Sequence, residues 1–492
     1  MKSKNVSQIV SVSVMSFDRI FIEAKYPLAI DTYQRGFVWG DEKIDQLIDD
    51  LQDYSNVCRN NNGQALNYYM GTVLLHESQD QKRLYVIDGQ QRLTVLSILH
   101  QVLMKSIPVN NTFRYRCMES AGNIKRAQDK FQVWDLKNSC IDLFKKICFT
   151  VITVKSEDLA FTFFDTQNNR GIPPNATDLL KSFHLRAIQG QESEDLQTYC
   201  AKRWEGMQGF RHSLWEGVDF APILFRQFLW RARCWTGQRN LERESHDRIL
   251  WEFQKQTVPP ESDGDVPLYP SLNNRFAASL TLLPQGKCQL NPQRQPGIAP
   301  PEQLPFILRQ PINQGIGFFL YTWKYTSMVD CLMDRNNSDP EIKEFGKFYD
   351  QVVASLSIYL RELFLLSCVM YLDKFGTNKL FHFALLLDHV LGAIRFKKEY
   401  IFKEAPLIYL RDSSKNLLDV ISGAYSYKQV IDHLKFHKDA DLIYDSDDSR
   451  NIEVGKGVRG HYKQRLMAYY GKKNLKDKAR WISDSFVEEK FL

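Results

Sequence analysis

The sequence predicts an α/β amino-terminal domain of the α+β kind, followed by a mainly α-helical carboxyl-terminal region. Three observations carry that division. Up to about residue 190, short β-rich runs alternate with amphipathic helical patterns. Beyond it the patterns become long, aromatic and helical, as in Ala221 to Trp235 and Phe348 to Met370. Eleven of the eighteen prolines fall between Pro259 and Pro311, among Gln, Asn and Gly, a composition that suits a loop or linker better than a packed element. The predicted organisation is therefore an α/β domain over 1–190, a helical region over 191–258, a proline-rich linker over 259–311, and a helical region with a basic end over 312–492.

Within the first domain, Asp41 can cap a helix whose Ile44, Leu47, Ile48 and Leu51 follow the i, i+3, i+4, i+7 spacing of one buried face. Tyr69 to His76 and Arg83 to Ile87 read as strands, and Gln79 to Lys82 between them as a turn. A helix from Gln90 to about Met104 follows, with Leu93, Leu96, Leu99 and Leu103 at helical spacing. The Asp88-Gly89 pair thus joins a strand to a helix. Further on, Pro173-Pro174 forbids helix and leaves 167–174 as a loop, with a new helix beginning near Asn175.

At 492 residues, with 43% hydrophobic and 25% charged residues, the chain has ordinary globular composition. Nine scattered cysteines, odd in number and without a Cys-x-x-Cys pair, point to a reduced, cytoplasmic protein without a structural metal. Met1 to Arg19 lacks an apolar signal core and no window resembles a membrane span, so no membrane partner is expected. The formal net charge of +6 is small, but from Arg450 to Arg480 ten Lys/Arg face only Glu453 and Asp477. Tyr462, Tyr469 and Tyr470 interleave with these cations, and Trp481 follows. Arg459, Lys463, Arg465, Lys472 and Lys473 are therefore candidate DNA contacts. The competing reading is a solvated helix face over a core of Leu466, Met467 and Tyr470.

The chemistry concentrates in Asp88-Gly89-Gln90-Gln91-Arg92. A strand that ends at glycine and opens a helix presents unpaired amides and the positive end of the helix dipole, a ready anion site. Arg92 could fork onto phosphate oxygens. Asp88 repels phosphate directly, but could hold a divalent cation against it or position an attacking water. The plainer alternative makes Asp88 an N-cap and Arg92 a surface residue. Two further clusters carry the same ambiguity. Gln34 and Arg35 lie among Tyr33, Phe37 and Trp39, as hydrogen-bonding groups beside a stacking face or as solvated residues beside core aromatics. Asn168 and Arg170 precede Asp178 and Lys181, as a second arginine near a site or as a cap with an exposed ion pair.

Taken in order and spacing, Thr32 to Trp39, Tyr68 to Leu75, Tyr85 to Leu96 and Phe163 to Lys181 resemble the amino-terminal domain of GmrS/GmrSD-type modification-dependent restriction proteins. The resemblance covers about residues 15–190, and Asp-Gly-Gln-Gln-Arg matches without substitution. It implies a ParB/sulfiredoxin-like fold and a domain that binds and hydrolyses a nucleoside triphosphate with Mg²⁺ in anti-phage defence, alongside a nuclease. Carried over, Asp88, Gly89, Gln90, Gln91 and Arg92 form a phosphate loop, with Gln34 and Arg35 beside it and Asn168 and Arg170 as a further wall. The site expected from this has Asp88 and Arg92 as catalytic residues, Asp88 as the metal holder and the others as nucleotide contacts. Family members usually carry Leu near Pro174, and position 169 varies among them. Neither departure removes a charge. Fused members end in a His-Asn nuclease, whose motif is not found around His382, His389, His433, His437 or His461. Asp445 followed by Glu453 to Lys456 approaches a restriction-type acid set with one residue too many. The expected function is an NTP-hydrolysing sensor subunit of a restriction-like defence system, with DNA and a separate nuclease subunit as partners. The alternatives are a non-hydrolysing nucleotide- or DNA-binding interaction protein and a stand-alone endonuclease.

Overall fold

Strand residues that face helices on one side are the ones the first sheet buries. Val73, Leu75, Val86, Phe149 and Val151 form one core with Ile44, Leu47, Leu51, Leu93, Leu96, Leu99 and Phe131 from three helices. The computed structural model describes residues 10–31, 34, 36–60, 67–115, 118–134, 143–156, 175–189, 193–208, 215, 218–239, 241–260, 266–270, 277–282, 288–292 and 303–491. It divides into two units, Met1–Ser182 with Glu194–Gly206, and Phe183–Ser193 with Met207–Leu492.

The first unit holds a mixed five-stranded sheet in the order β1-β5-β3-β4-β2. These strands are β1 (Val10–Ser16), β2 (Leu28–Ala29), β3 (Tyr68–Ser78), β4 (Arg83–Asp88) and β5 (Ile147–Val154). β3 runs parallel to β5 and antiparallel to β4, while β1 pairs antiparallel with β5 and β2 parallel with β4. The helices are α1 (Phe17–Ile22), α2 (Asp41–Asn60), α3 (Gln90–Met104), α4 (Met118–Val133) and α5 (Leu143–Lys146). The mixed α/β reading of this part holds, and α2, β3, β4 and α3 form where the periodicity placed them. α3 is the central element, because Leu93, Val95, Leu96 and Leu99 are all completely buried. Each contributes roughly 2 kcal/mol of burial. Gly71 sits at a bulge in β3, at φ +94°, where pairing with β5 shifts register between Tyr69 and Thr72. That bulge turns two backbone carbonyls toward the site described below.

The second unit is mainly helical. The Ala221–Trp235 pattern becomes one continuous helical stretch from Phe220 to Cys234, with a π-helical middle at Leu224–Trp230. The Phe348–Met370 pattern does not form one helix. Pro340–Gln351 ends, a 3₁₀ turn follows at Val353–Ser355, and Ile358–Phe375 starts anew. Val352, Val353 and Leu356 at the break are as buried as helix-core residues, so the apolar pattern runs through it unmarked. The proline-rich segment, expected as loop, contains an antiparallel hairpin, Ala277–Leu282 with Cys288–Pro292. Pro292 stands at the strand's end, where a missing N–H is tolerated. At the segment's far end Phe306 and Leu308 are buried, and Arg233 takes the carbonyls of Leu308 and Gln310 at 2.7 and 2.6 Å. Among the described residues, no helix is long and apolar enough to cross a membrane.

Candidate functional site

β4 delivers Asp88 to the edge of the core, and Gly89 turns the chain into α3. Gly89 is the N-cap of α3 at φ +89°, with no side-chain capping bond and no acid in the first helical turn. A Cβ at Gly89 would stand 2.9 Å from Val73 Cγ2, so glycine serves both the left-handed conformation and the approach of β3. Asp88 is therefore not the cap. Its carboxylate, about one-third exposed, faces Arg92 with Oδ2 3.5 Å from Nη2.

The two glutamines point inward rather than toward a ligand. Gln91 accepts from the Val38 amide and donates to the Gly36 carbonyl, both at 2.9 Å, and so fixes the 36–38 segment on α3. Gln90 donates to the Tyr115 hydroxyl at 3.2 Å, and Gln34 donates to the Ile87 carbonyl at 3.2 Å. Arg92 likewise departs from its expected role. Its guanidinium donates to the Met70 and Thr72 carbonyls at 2.7 and 2.8 Å, across the β3 bulge at Gly71. The fork imagined for phosphate oxygens is occupied by backbone, which makes Arg92 a positioning residue for Asp88 and the bulge. Arg35, Asn168 and Arg170 lie outside the described residues.

A cavity of about 350 Å³ adjoins this turn through Gln34 and Tyr115, which bond Ile87 and Gln90, while Asp88, Gly89 and Arg92 themselves do not line it. Arg83, Arg114 and Lys202 line it, with Tyr85, Asp31 and Glu205. Glu205 reaches Lys181 at 3.6 Å, whereas none of the three lining cations has an ion-pair partner among the described residues. A polar, net-positive wall with two tyrosine rings suits an anionic ligand that also carries a flat group. Sequence reasoning missed these cations because they come from unconnected places. Arg83 opens β4, Arg114 follows the Leu28–Asn111 bridge, and Lys202 stands on the Ser193–Gln208 helix.

Residues 17–185 match the model of the GmrSD restriction endonuclease N-terminal domain, and residues 196–451 match that of a family of unknown function (DUF7834). The second match spans more than half of the chain. The chain belongs to that family of unknown function, behind a GmrSD-type amino-terminal domain. No curated protein matches the chain.

Beyond the GmrSD-type domain, the basic run divides into buried and exposed cations. Lys463 is 5% exposed, and its ammonium donates to the Ser449, Arg450 and Ile452 carbonyls at 3.1, 2.8 and 3.0 Å. Burial holds its pKa below the ordinary lysine value. It is a helix-end clamp, and its assignment to DNA is withdrawn. Tyr462 and Tyr470 also face inward. Tyr462 donates to Asp388 at 2.7 Å and Tyr470 packs on Trp481 at 5.4 Å, so neither ring is open to a base. Arg465, Lys472 and Lys473 remain exposed, and Arg459 is half-buried at a separate cavity. The Asp445, Glu453, Lys456 set is also accounted for. Asp445 accepts from the Asp477 amide at 2.9 Å, and Glu453 pairs with Lys456 at 2.7 Å on the surface.

Proposed function

We propose that this protein is a nucleoside-triphosphate-binding and -hydrolysing sensor subunit of a restriction-like defence system, acting on DNA with a separate nuclease. The observation that carries the reading is the cavity beside the Asp88-Gly89 turn, where Arg83, Arg114 and Lys202 outnumber Asp31 and Glu205 and have no ion-pair partner among the described residues. Three cations suit a triphosphate, and Tyr85 and Tyr115 offer faces for a base. The amides that open α3 have no partner within the helix and add positive potential next to Asp88. The match to a GmrSD restriction endonuclease domain supports the defence context and the link to DNA.

In the hydrolytic reading, water attacks the terminal phosphoryl group, the bond to the bridging oxygen breaks, and phosphate and nucleoside diphosphate leave. Asp88 orients that water and accepts its proton, while Arg92 keeps the carboxylate aimed by holding Oδ2. Asp88 is the side chain that would hold Mg²⁺ next to a bound nucleotide, since no group of three metal-ligating side chains exists among the described residues. Bound there, it would neutralise phosphate charge.

A second reading, nucleotide binding without turnover, is favoured by the Asp88–Arg92 pairing, which already engages the one carboxylate of the turn. Phosphate release from ATP and GTP by the full chain separates the two readings. The hydrolytic reading expects turnover that falls by about 10²-fold or more in Asp88→Ala, with nucleotide affinity largely kept. Binding without turnover in the wild type supports the second reading, and turnover untouched by Asp88→Ala removes Asp88 from the chemistry.

A further inference from the structure

The helical unit contains a second cavity, of about 760 Å³, far in sequence from the Asp88 turn. Two long helices begin at its wall. Ile358–Phe375 starts after Ser357 and Gly457–Tyr470 starts after Lys456, and neither N-cap makes a side-chain capping bond. Neither helix carries an acid in its first turn. Two helix dipoles therefore present uncapped positive ends to one space.

The side chains there add charge rather than cancel it. Arg395 is 4% exposed and lines the cavity. Its Nη1 donates to Ser357 Oγ at 2.9 Å, which diverts that hydroxyl from capping, and Nη2 donates to the Lys398 and Glu399 carbonyls at 2.7 and 2.5 Å. Its Nε is buried without an acceptor. Arg361 donates to the Ala354 carbonyl at 2.8 Å, and Arg459 lies close enough that its charge disfavours the charged form of Arg395, after burial itself. Among the described residues, none of these three arginines has a carboxylate within ion-pair distance. Lys456 is taken by Glu453, and Glu399 is the one acid in the lining. A buried guanidinium without a counter-ion is costly, and an anion supplied from outside relieves that cost. At the rim, Tyr400 and Phe402 are 67% and 69% exposed, flat apolar rings standing beside the cations.

We infer that this cavity is a second ligand site, which takes the phosphate of a nucleotide between Arg361, Arg395, Arg459 and the two helix starts, with its base against Tyr400 or Phe402. The shared chemistry is a phosphorylated nucleotide, supplied either free or as the unpaired end of a DNA strand. The site is independent of the one at Asp88.

The test uses the full chain carrying Arg114→Glu and Lys202→Glu, which weaken binding at the first cavity, with two probes. One is a fluorescein-labelled, 5′-phosphorylated single-stranded dodecanucleotide followed by anisotropy, and the other is adenosine 5′-monophosphate followed by calorimetry. Arg459→Glu and Val458→Glu are added separately. Val458 is 53% exposed at the second position of its helix, where a carboxylate favours the helix while occupying the anion's place. Both substitutions are expected to weaken binding by about tenfold or more, and Val458→Glu to hold or raise the melting temperature. Loss with both probes, or with either one, supports the site and names its source. Failure of the parent to bind either probe overturns it, as does unchanged affinity in a Val458→Glu protein that melts no lower than its parent.

Discussion

Arg92 and Arg395 make nearly the same bonds and leave different charge behind. Each guanidinium donates to two backbone carbonyls, Met70 and Thr72 for one, Lys398 and Glu399 for the other. Arg92 also meets Asp88, so its charge is answered inside the first unit. Beyond those carbonyls Arg395 meets Ser357 and the positive charge of Arg459, and among the described residues no carboxylate lies within ion-pair distance of it. Counting hydrogen bonds rates the two alike, whereas counting charges separates a clamp from a site that lacks its anion.

The largest expected effect separates the regions by acid. His184 in the helical unit is fully buried, stacked on Phe318 with ring centroids 3.6 Å apart, and donates from Nε2 to the Phe253 carbonyl at 2.7 Å. Burial pushes its pKa down to about 3. The unfolded chain takes up this proton near 6.5, above the folded value, so stability is complete above that pH and is lost as pH falls toward 3. The loss is on the order of 4 kcal/mol from this residue, read as an acid-induced fall in the denaturation midpoint that His184→Phe reduces.

Next in size is the contrast between the arginines. Arg92→Met is expected to cost about 3 kcal/mol, because it frees two carbonyls and leaves Asp88 unpaired. Gly71→Ala, whose added Cβ meets the Arg92 guanidinium, should shift the midpoint the same way. Arg395→Met is expected to cost only about 1 kcal/mol, since lost hydrogen bonds are offset by removing an unbalanced buried charge. Equal costs in urea denaturation would erase the distinction. Smaller again is the split within the basic run. Lys463→Ala should cost about 2 kcal/mol through three abandoned carbonyls, whereas Lys472→Ala and Lys473→Ala should stay within about 0.5 kcal/mol.

The elements around the site were legible because each has a local cause. The α2 and α3 faces follow helical spacing, β3 and β4 follow β-rich composition, and the strand-to-helix join follows from Asp88-Gly89. The direction of the side chains in the motif was not legible. Gln91 and Arg92 serve backbone groups at 36–38 and 70–72, and those partners are fixed by a loop and a bulge that carry no periodicity. The basic run shows the same limit. A lysine in the basic run reads alike whether it faces water, as Lys472 does just past the helix end, or three carbonyls, as Lys463 does within the helix. The cations of the first cavity converge from residues 83, 114 and 202 and left no linear signal at all.

The central claim is that the space beside the Asp88-Gly89 turn holds a nucleoside triphosphate against Arg83, Arg114 and Lys202. Calorimetric titration of the full chain with a non-hydrolysable ATP or GTP analogue and Mg²⁺ tests it most directly, with Arg114→Glu/Lys202→Glu as the comparison. The expected result is saturable binding by the wild type and an affinity about 10²-fold lower in the double variant, with its fold intact by circular dichroism. Equal affinity in the two proteins would contradict the assignment of this cavity.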